Sequence, residues 1–146
     1  MKIADILVTK DSNVITIQPH QTIKVAVDLM EANNIGGLVV VNQDEKIVGI
    51  ITERDLIRYA ATENPTFAIQ VGALMTRKVI VGVLQDEIDA VAHTMTEKRF
   101  RHLPVVDGDK LVGILTIGDL VKAQRDRYKG EIHTLQIQII AEDEQE

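Results

Sequence analysis

Two Thr-x-x-Asp elements, Thr52 to Asp55 and Thr116 to Asp119, combine residue types and a spacing that can do chemistry. Each begins where an apolar run gives way to helical spacing, so each threonine is predicted to cap a helix. In a capping box the hydroxyl accepts the N–H of the third helical residue, and the carboxylate accepts the threonine N–H. The same geometry suits a nucleotide, because a helix N-terminus binds phosphate and a carboxylate accepts both hydroxyls of a ribose diol. The spacing alone leaves both interpretations open.

Charged residues near the two elements differ. Residues 98–102, before the second element, read Lys-Arg-Phe-Arg-His, whereas residues 33–37 in the corresponding place read Asn-Asn-Ile-Gly-Gly. Arginine binds phosphate through paired hydrogen bonds that asparagine and glycine cannot provide. The side chains predicted to contact a phosphate held near Asp119 are therefore those of Arg99, Arg101 and His102. The alternatives are a solvated basic turn and, for the histidine, a packed neutral side chain. Arg54 either reaches a phosphate or pairs with a neighbouring carboxylate.

These elements belong to a repeat that covers most of the chain. Val14 opens the first copy and Val79, 65 residues later, opens the second. Asp55 and Asp119 lie 64 residues apart, because the turn over 42–45 is one residue longer than its counterpart. The common short repeats have periods of about 20 to 50 residues. We therefore expect two copies of one unit packed as a single domain, in which any pocket of one copy has a counterpart in the other.

Each copy is predicted to be a β-α-β-β-α unit, which gives an α+β fold. The elements predicted for the first copy from its apolar spacing are a strand over 14–17, a helix with its apolar stripe from Ile23 to Met30 that is stopped by Asn33-Asn34 and Gly36-Gly37, strands over 38–41 and 47–51, and a helix from Thr52 toward Ala61. The second copy repeats this order, from a strand over 79–81 to a helix that starts at Thr116. Helical spacing over 131–140 predicts a terminal helix. The acidic residues over 141–146 predict an acidic tail.

The composition excludes several classes of protein. The 146 residues suffice for one domain with its own core, and 45% hydrophobic with 26% charged residues is typical of a globular protein. A net charge of −6 argues against binding to nucleic acid or acidic membranes. The absence of cysteine excludes a disulfide scaffold and thiolate metal sites. No apolar run reaches the roughly 18 residues of a membrane span. We predict a cytoplasmic protein without a metal site.

The repeated motifs resemble those of a known family. Residues 49–56 and 113–120 share the form Gly-apolar-apolar-Thr-x-x-Asp-apolar, and upstream each copy carries a methionine eight residues before an apolar strand. Both motifs, in this order and in both copies, resemble a tandem pair of cystathionine-β-synthase-type (CBS) domains, a Bateman module. The resemblance covers roughly residues 1–129. It implies a pseudo-twofold CBS-pair domain with two clefts between the sheets.

Many such pairs bind adenine nucleotides or related adenosyl compounds in these clefts. The resemblance implies that Asp55 and Asp119 hold the ribose, and that short apolar strands hold the adenine. Val40 stands where the family pattern and the second copy have proline. The implied ligand contacts are Thr16, Ile17, Val40, Thr52, Arg54, Asp55, Val81, Val83, Arg99, Arg101, His102, Pro104, Thr116 and Asp119.

The predicted organisation is a first repeat over 1–61, a connector over 62–70, a second repeat over 71–129, and a C-terminal helix with an acidic tail over 130–146. The sequence contains neither a P-loop nor a dinucleotide-binding fingerprint. No nucleophile–base pair stands out either. We therefore predict no catalytic residues and no enzyme activity.

Two functions remain open. The first is a regulatory sensor that binds an adenine nucleotide, such as AMP, ADP, ATP or NAD, with no obligatory cofactor. The second is a ligand-free module for protein interaction or oligomerisation. The resemblance also implies a homodimer and, because the chain carries no effector domain of its own, a stand-alone module with a separate effector protein. The candidate dimer residues, which are equally candidates for the core, are Leu56, Tyr59, Ala60, Leu120, Ala123 and Gln124.

Overall fold

A computed structural model describes residues 1–10 and 13–128. This part of the chain forms six helices and six strands, and the strands make two three-stranded sheets. In chain order the elements are α1 (Ile3–Thr9), β1 (Thr16–Ile17), α2 (Ile23–Asn33), β2 (Gly37–Val41), β3 (Ile47–Thr52), α3 (Glu53–Ala60), α4 (Val71–Leu74), β4 (Gly82–Val83), α5 (Ile88–Lys98), β5 (His102–Asp107), β6 (Lys110–Thr116) and α6 (Ile117–Arg127). The predicted α+β fold with two similar repeats is confirmed.

Each repeat builds its sheet in the same way. In the first repeat, β2 lies between β1, which is parallel to it, and β3, which is antiparallel. All residues of β2 are buried, as expected of a central strand covered on both faces. The second sheet has the same arrangement around β5. Both hairpins shift register at corresponding places, Val40/Val41 and Val105/Val106, so the sequence repeat is also a repeat of register.

The first strand of each repeat is shorter than the run of β-favouring residues that predicted it. The run over 14–17 pairs only at Thr16–Ile17. The strand predicted over 79–81 is wrong, because β4 begins at Gly82, where parallel pairing with Val105 starts. Residues 77–81 lead from Thr76, which pairs with Ile50 of the first repeat, to Gly82 of the second repeat, and belong to no strand themselves.

Helix ends follow local chemistry. The Thr22 hydroxyl accepts the N–H of Val25 at the start of α2. Helix α2 ends at Asn34 and α5 at Arg99, both in the left-handed conformation, with φ of 52° and 59°. Asparagine adopts this conformation more readily than most other residues. The first repeat thus ends its helix with a favoured residue, whereas the second ends it with a basic one.

The leading helix of each repeat packs against the core of the other repeat. Val71 of α4 lies in the hydrophobic core of the first repeat, and Ile3 of α1 lies in that of the second. Backbone hydrogen bonds fix this exchange: Ile3 N–H donates to the carbonyl of Asp86 at 3.0 Å, and Val71 N–H donates to that of Gln21 at 2.8 Å. Each core therefore includes residues from both sides of the connector over 62–70.

The helix predicted over 131–140 and the acidic tail over 141–146 lie outside the described residues. None of the helices within 1–10 and 13–128 has the length and apolar character needed to span a bilayer. The same ranges contain no group of three or more His, Cys, Asp or Glu side chains placed to hold a metal ion.

Candidate functional site

Both Thr-x-x-Asp elements form capping boxes at the starts of helices. Thr52 N–H donates to Oδ2 of Asp55 at 2.9 Å, and Asp55 N–H donates to Oγ1 of Thr52 at 3.5 Å. The corresponding distances between Thr116 and Asp119 are 2.8 and 3.2 Å. The capping interpretation is confirmed in both repeats. Since the boxes use only Oδ2, the Oδ1 atom of each carboxylate lies outside the box.

Asp119 also holds a lysine from the start of the chain. Nζ of Lys10 lies 2.6 Å from Oδ2 of Asp119 and 2.5 Å from the carbonyl oxygen of Ile114. The two charged side chains are only 27% and 24% exposed. Because α1 packs against the second repeat, its C-terminal end brings Lys10 to this aspartate. A cation of the protein itself therefore lies at the start of α6.

Asp55 has no such cation within the part of the chain that the structure describes. Its Oδ1 accepts the Thr76 hydroxyl at 3.3 Å. The backbone of Thr76 pairs with that of Ile50 in β3, which holds it there. Thr76 comes just after α4, as Lys10 comes just after α1. The two aspartates thus receive partners from equivalent segments, a neutral hydroxyl in the first repeat and an ammonium group in the second.

The surroundings of Asp119 favour its ionised form. Partial burial by itself would raise the pKa of the Asp119 carboxyl. The hydrogen bond and charge of Lys10, together with the hydrogen bonds from Thr116, outweigh burial, and the net pKa lies below the usual value. Asp119 is therefore a carboxylate near neutral pH.

The two repeats touch at equivalent positions near the starts of β2 and β5. A β-carbon on Gly37 would lie 3.0 Å from Cδ2 of His102, a residue one repeat period away. The imidazole therefore occupies the space that the glycine leaves at the pseudo-twofold axis. Close by, Oε1 of Glu53 lies 2.9 Å from where a β-carbon of Gly36 would be. Both contacts require the glycines of the first repeat.

His102 stands among charges from both repeats. Burial lowers the pKa of His102 below its usual value, and the positive charges of Lys10 and Arg101 act in the same direction. The negative charges of Glu53 and Asp119 oppose this effect without reversing it. His102 is therefore neutral near pH 7, which favours the interpretation of a packed histidine.

The predicted phosphate-binding arginines are all exposed. Within residues 1–10 and 13–128, none of the three forms an ion pair with another side chain; they are Arg54, Arg99 and Arg101. The carbonyl of Arg101 accepts Ile117 N–H at 3.0 Å, which holds Arg101 beside the first residue of α6. In the first repeat the equivalent bond joins Glu53 N–H to Gly36 at 2.9 Å. The residue that makes this backbone contact is thus basic in the second repeat, Arg101, and uncharged in the first, Gly36.

The predicted adenine contacts differ in accessibility. The buried members are Ile17, Val40 and Pro104, whose side chains offer no open surface. The exposed members are Thr16, Val81 and Val83. For the buried residues only the backbone is left to contact a ligand. All of these assignments stay predictions.

Two open cavities of about 450 Å³ each lie on the first repeat. One follows the turn between β2 and β3 and is lined by Thr16 and Ile17 among others. The other lies between α2 and α3, where Ile35 and Leu56 face Glu53. Neither cavity includes Asp55 or Asp119, so the aspartate sites are marked by their chemistry and not by the size of a cavity.

Sequence reasoning missed three residues at the site, Lys10, Glu53 and Thr76. Lys10 lies 109 positions from Asp119 and Thr76 lies 21 from Asp55, so no local pattern connects either residue with its aspartate. Glu53 was visible only as a residue inside Thr-x-x-Asp. The signal that existed was a pair of short apolar segments before the repeats, Ile3 to Leu7 and Val71 to Met75, whose sequences do not show which repeat each packs against.

The candidate dimer residues divide between core and surface. Leu120 is buried in the core of the second repeat, and Leu56 packs against that of the first. The exposed apolar residues of these helices come one position later, Ile57 at 68% and Val121 at 59% exposure. They occupy equivalent positions on α3 and α6.

Comparison with known proteins gives a family. A model of the CBS domain family matches residues 3–62 and 71–126. A putative signal-transduction protein with CBS domains from Burkholderia ambifaria MC40-6 is 35% identical with a TM-score of 0.83, and the match covers 93% of this chain and 100% of that one.

Two similar structures contain ligands. The CBS domain pair of protein MJ0100, in complex with 5-methylthioadenosine and S-adenosyl-L-methionine, is 29% identical with a TM-score of 0.78, over 87% of this chain and 98% of that one. CBSX2 in complex with AMP is 27% identical with a TM-score of 0.73, over 86% and 97%.

Curated relatives at 36–39% identity differ in length. The chain spans 77% of one of them but only 40%, 24% and 22% of three others. In such relatives the matching region is thus one part of a longer protein. The family match to both repeats and the shared architecture lead to one conclusion: the chain belongs to the CBS domain family and is a CBS-pair regulatory module.

Proposed function

We propose that the chain is a sensor that binds an adenosine-containing ligand between its repeats, at Asp119 and at Asp55, and that an effector protein responds to the bound state. The observation that carries this proposal is the pair of carboxylates at helix starts, each with Oδ1 outside its capping box. A carboxylate there accepts ribose hydroxyls, and the adjacent helix N-terminus favours a phosphate.

Similarity supports the choice of adenosine. Solved CBS pairs of 27–29% identity bind AMP, S-adenosyl-L-methionine or 5-methylthioadenosine. The basic side chains at the start of α6, Lys10 and Arg101, favour an anionic ligand in the second repeat. We therefore propose AMP-like nucleotides as the first class to test, without catalysis.

Thermal and chemical unfolding with AMP and with S-adenosylmethionine test the proposal. A ligand at 100 times its dissociation constant stabilises the folded protein by about 2.7 kcal/mol. We expect Asp119→Asn to abolish most of the stabilisation by AMP and Asp55→Asn to abolish less of it. Asp126→Asn, a surface change on the same helix as Asp119, is the matched control and should retain it. Stabilisation that survives in both site variants would contradict the proposal.

A second function is favoured by the exposed apolar residues Ile57 and Val121, whose equivalent positions on α3 and α6 suit a homodimer contact. In that case the chain is an assembly module without a small ligand. The unfolding experiment with AMP and S-adenosylmethionine distinguishes the two functions. No stabilisation by either compound, together with a dimer in analytical ultracentrifugation, would favour assembly.

A further inference from the structure

We propose that Lys10 is a specificity residue of the second cleft: it occupies Asp119 in the empty protein and makes that cleft select phosphorylated adenosine compounds over uncharged ones. This inference rests on the proposed function. It adds a residue from outside the repeat and a rule for the charge of the ligand.

Lys10 contacts the carboxylate of Asp119 directly. Its ammonium group bonds to the carboxylate that would hold the ribose, at 2.6 Å, and to the carbonyl of Ile114 at 2.5 Å. A ribose diol needs the same carboxylate. A ligand that binds at Asp119 must therefore share this carboxylate with Lys10 or displace it.

A ligand that displaces Lys10 must replace the ion pair between Lys10 and Asp119. The side chains of Lys10 and Asp119 are both about three-quarters buried. When the ion pair separates, water therefore does not fully replace the hydrogen bond that each charged group loses. An uncharged nucleoside offers the ammonium no anion. A phosphate group does, and it would lie at the start of α6, where the helix dipole and Arg101 also favour negative charge.

The aspartate of the first repeat, Asp55, has a different partner. There the outside partner of the aspartate is the exposed hydroxyl of Thr76, which is uncharged and lies at 3.3 Å. A diol can displace it without separating charges. The first cleft should therefore distinguish AMP from adenosine much less than the second cleft does.

The charges that act on His102, Lys10 among them, come from several elements of both repeats. Glu53 lies across the contact between the repeats, where it and Asp119 are the two acidic groups acting on His102, and Arg101 adds a further positive charge. Only Asp119 forms a close ion pair with Lys10 within the described residues. The ammonium is thus tied to this one carboxylate.

The test is isothermal titration calorimetry of the full chain with AMP and with adenosine, in an Asp55→Asn background that leaves the second cleft as the reporter. Lys10→Met keeps the length of the side chain and removes its charge. We expect the ratio of AMP to adenosine affinity to fall about tenfold or more, the size of one charged hydrogen bond. Lys10→Arg should keep the ratio. Lys122→Met, an exposed lysine on α6, is the matched control and should also keep it.

Two failures have different meanings. If AMP binds and Asp119→Asn abolishes this binding, but Lys10→Met leaves the ratio as in Lys122→Met, the role of Lys10 is overturned and the proposed function stands. If neither AMP nor adenosine binds the unchanged chain, the role of Lys10 is overturned, and the unfolding measurement with S-adenosylmethionine decides whether the proposed function stands. Unfolding of each variant without ligand shows whether the chain is folded before the titration.

Discussion

The two repeats share a backbone but not a set of charges. Their strands have the same order and the same register shifts, and both helices after β3 and β6 begin with a capping box. The two residues at the start of the central strand are Gly36 and Gly37 in the first repeat and Arg101 and His102 in the second, and Gly37 and His102 touch each other. Duplication of the fold has thus kept the scaffold of the site and changed the side chains that a ligand would meet.

The difference also shows which parts carry recognition. The capping boxes are nearly identical, so they cannot make one cleft different from the other. The charge near Asp119 comes from Lys10, delivered by α1, and from the basic residues that precede β5. If ligands bind as proposed, these two segments around a similar helix start would make the two repeats differ in what they accept. The following variants test how far the likeness and the difference extend.

The largest effect is expected where the exchanged helices approach the sheets. A β-carbon on Gly49 would lie 2.6 Å from Sδ of Met75 and 2.9 Å from the backbone carbonyl of Thr76, whereas on Gly113 it would meet only methyl groups of Leu7 at 3.0 Å or more. Gly49→Ala should reduce the free energy of unfolding by about 1–3 kcal/mol, because backbone must shift. Gly113→Ala should cost less, since Leu7 can move.

Urea unfolding of both variants measures this difference. Equal losses would mean that the two helix–sheet contacts are equally tight and that the asymmetry seen at the glycines has no energetic weight.

The next effect concerns the capping aspartates. Asp55→Ala should cost about 1 kcal/mol, the usual value of a lost helix cap. Asp119→Ala should cost more, because it also leaves the Lys10 ammonium without its ion pair. A double-mutant cycle with Lys10→Met isolates the second part, which we expect to be about 0.5 kcal/mol. A coupling energy of zero would show that the ion pair adds nothing to stability.

The smallest effect comes from the ends of α2 and α5. Arg99 adopts the left-handed conformation that Asn34 adopts in the first repeat. Arg99→Asn should therefore stabilise the protein by about 0.5 kcal/mol, since asparagine tolerates this conformation better. Differential scanning calorimetry of this variant beside Arg99→Gln, which removes the same charge without the preference of asparagine for the left-handed conformation, separates the conformational effect from the loss of charge. A decrease in stability would mean that Arg99 makes a contact that offsets its strain.

Much of the fold followed from local pattern. The helical stripe from Ile23 to Met30 and the apolar run over 38–41 predicted α2 and β2 correctly, because both elements bury one continuous apolar surface. The Thr-x-x-Asp spacing predicted both capping boxes, since a capping box depends only on residues within one turn of helix.

The exchange of α1 and α4 did not follow, because it depends on contacts between residues far apart in the chain. For the same reason Lys10 was absent from the predicted site: its partner lies 109 residues away. The strand over 79–81 was placed from β-propensity alone, which cannot say where a partner strand begins. Local chemistry was thus predictable, whereas contacts between the repeats were not.

The exchanged helices also affect how the protein folds as it is made. Helix α1 is synthesised before all the residues that cover it, which lie between Ile88 and Leu120. The core of the first repeat lacks Val71 until the chain has passed the connector. Neither repeat can close its core while it is the only one present. The two halves therefore complete folding together, after most of the described chain has left the ribosome, and not one after the other as independent domains do.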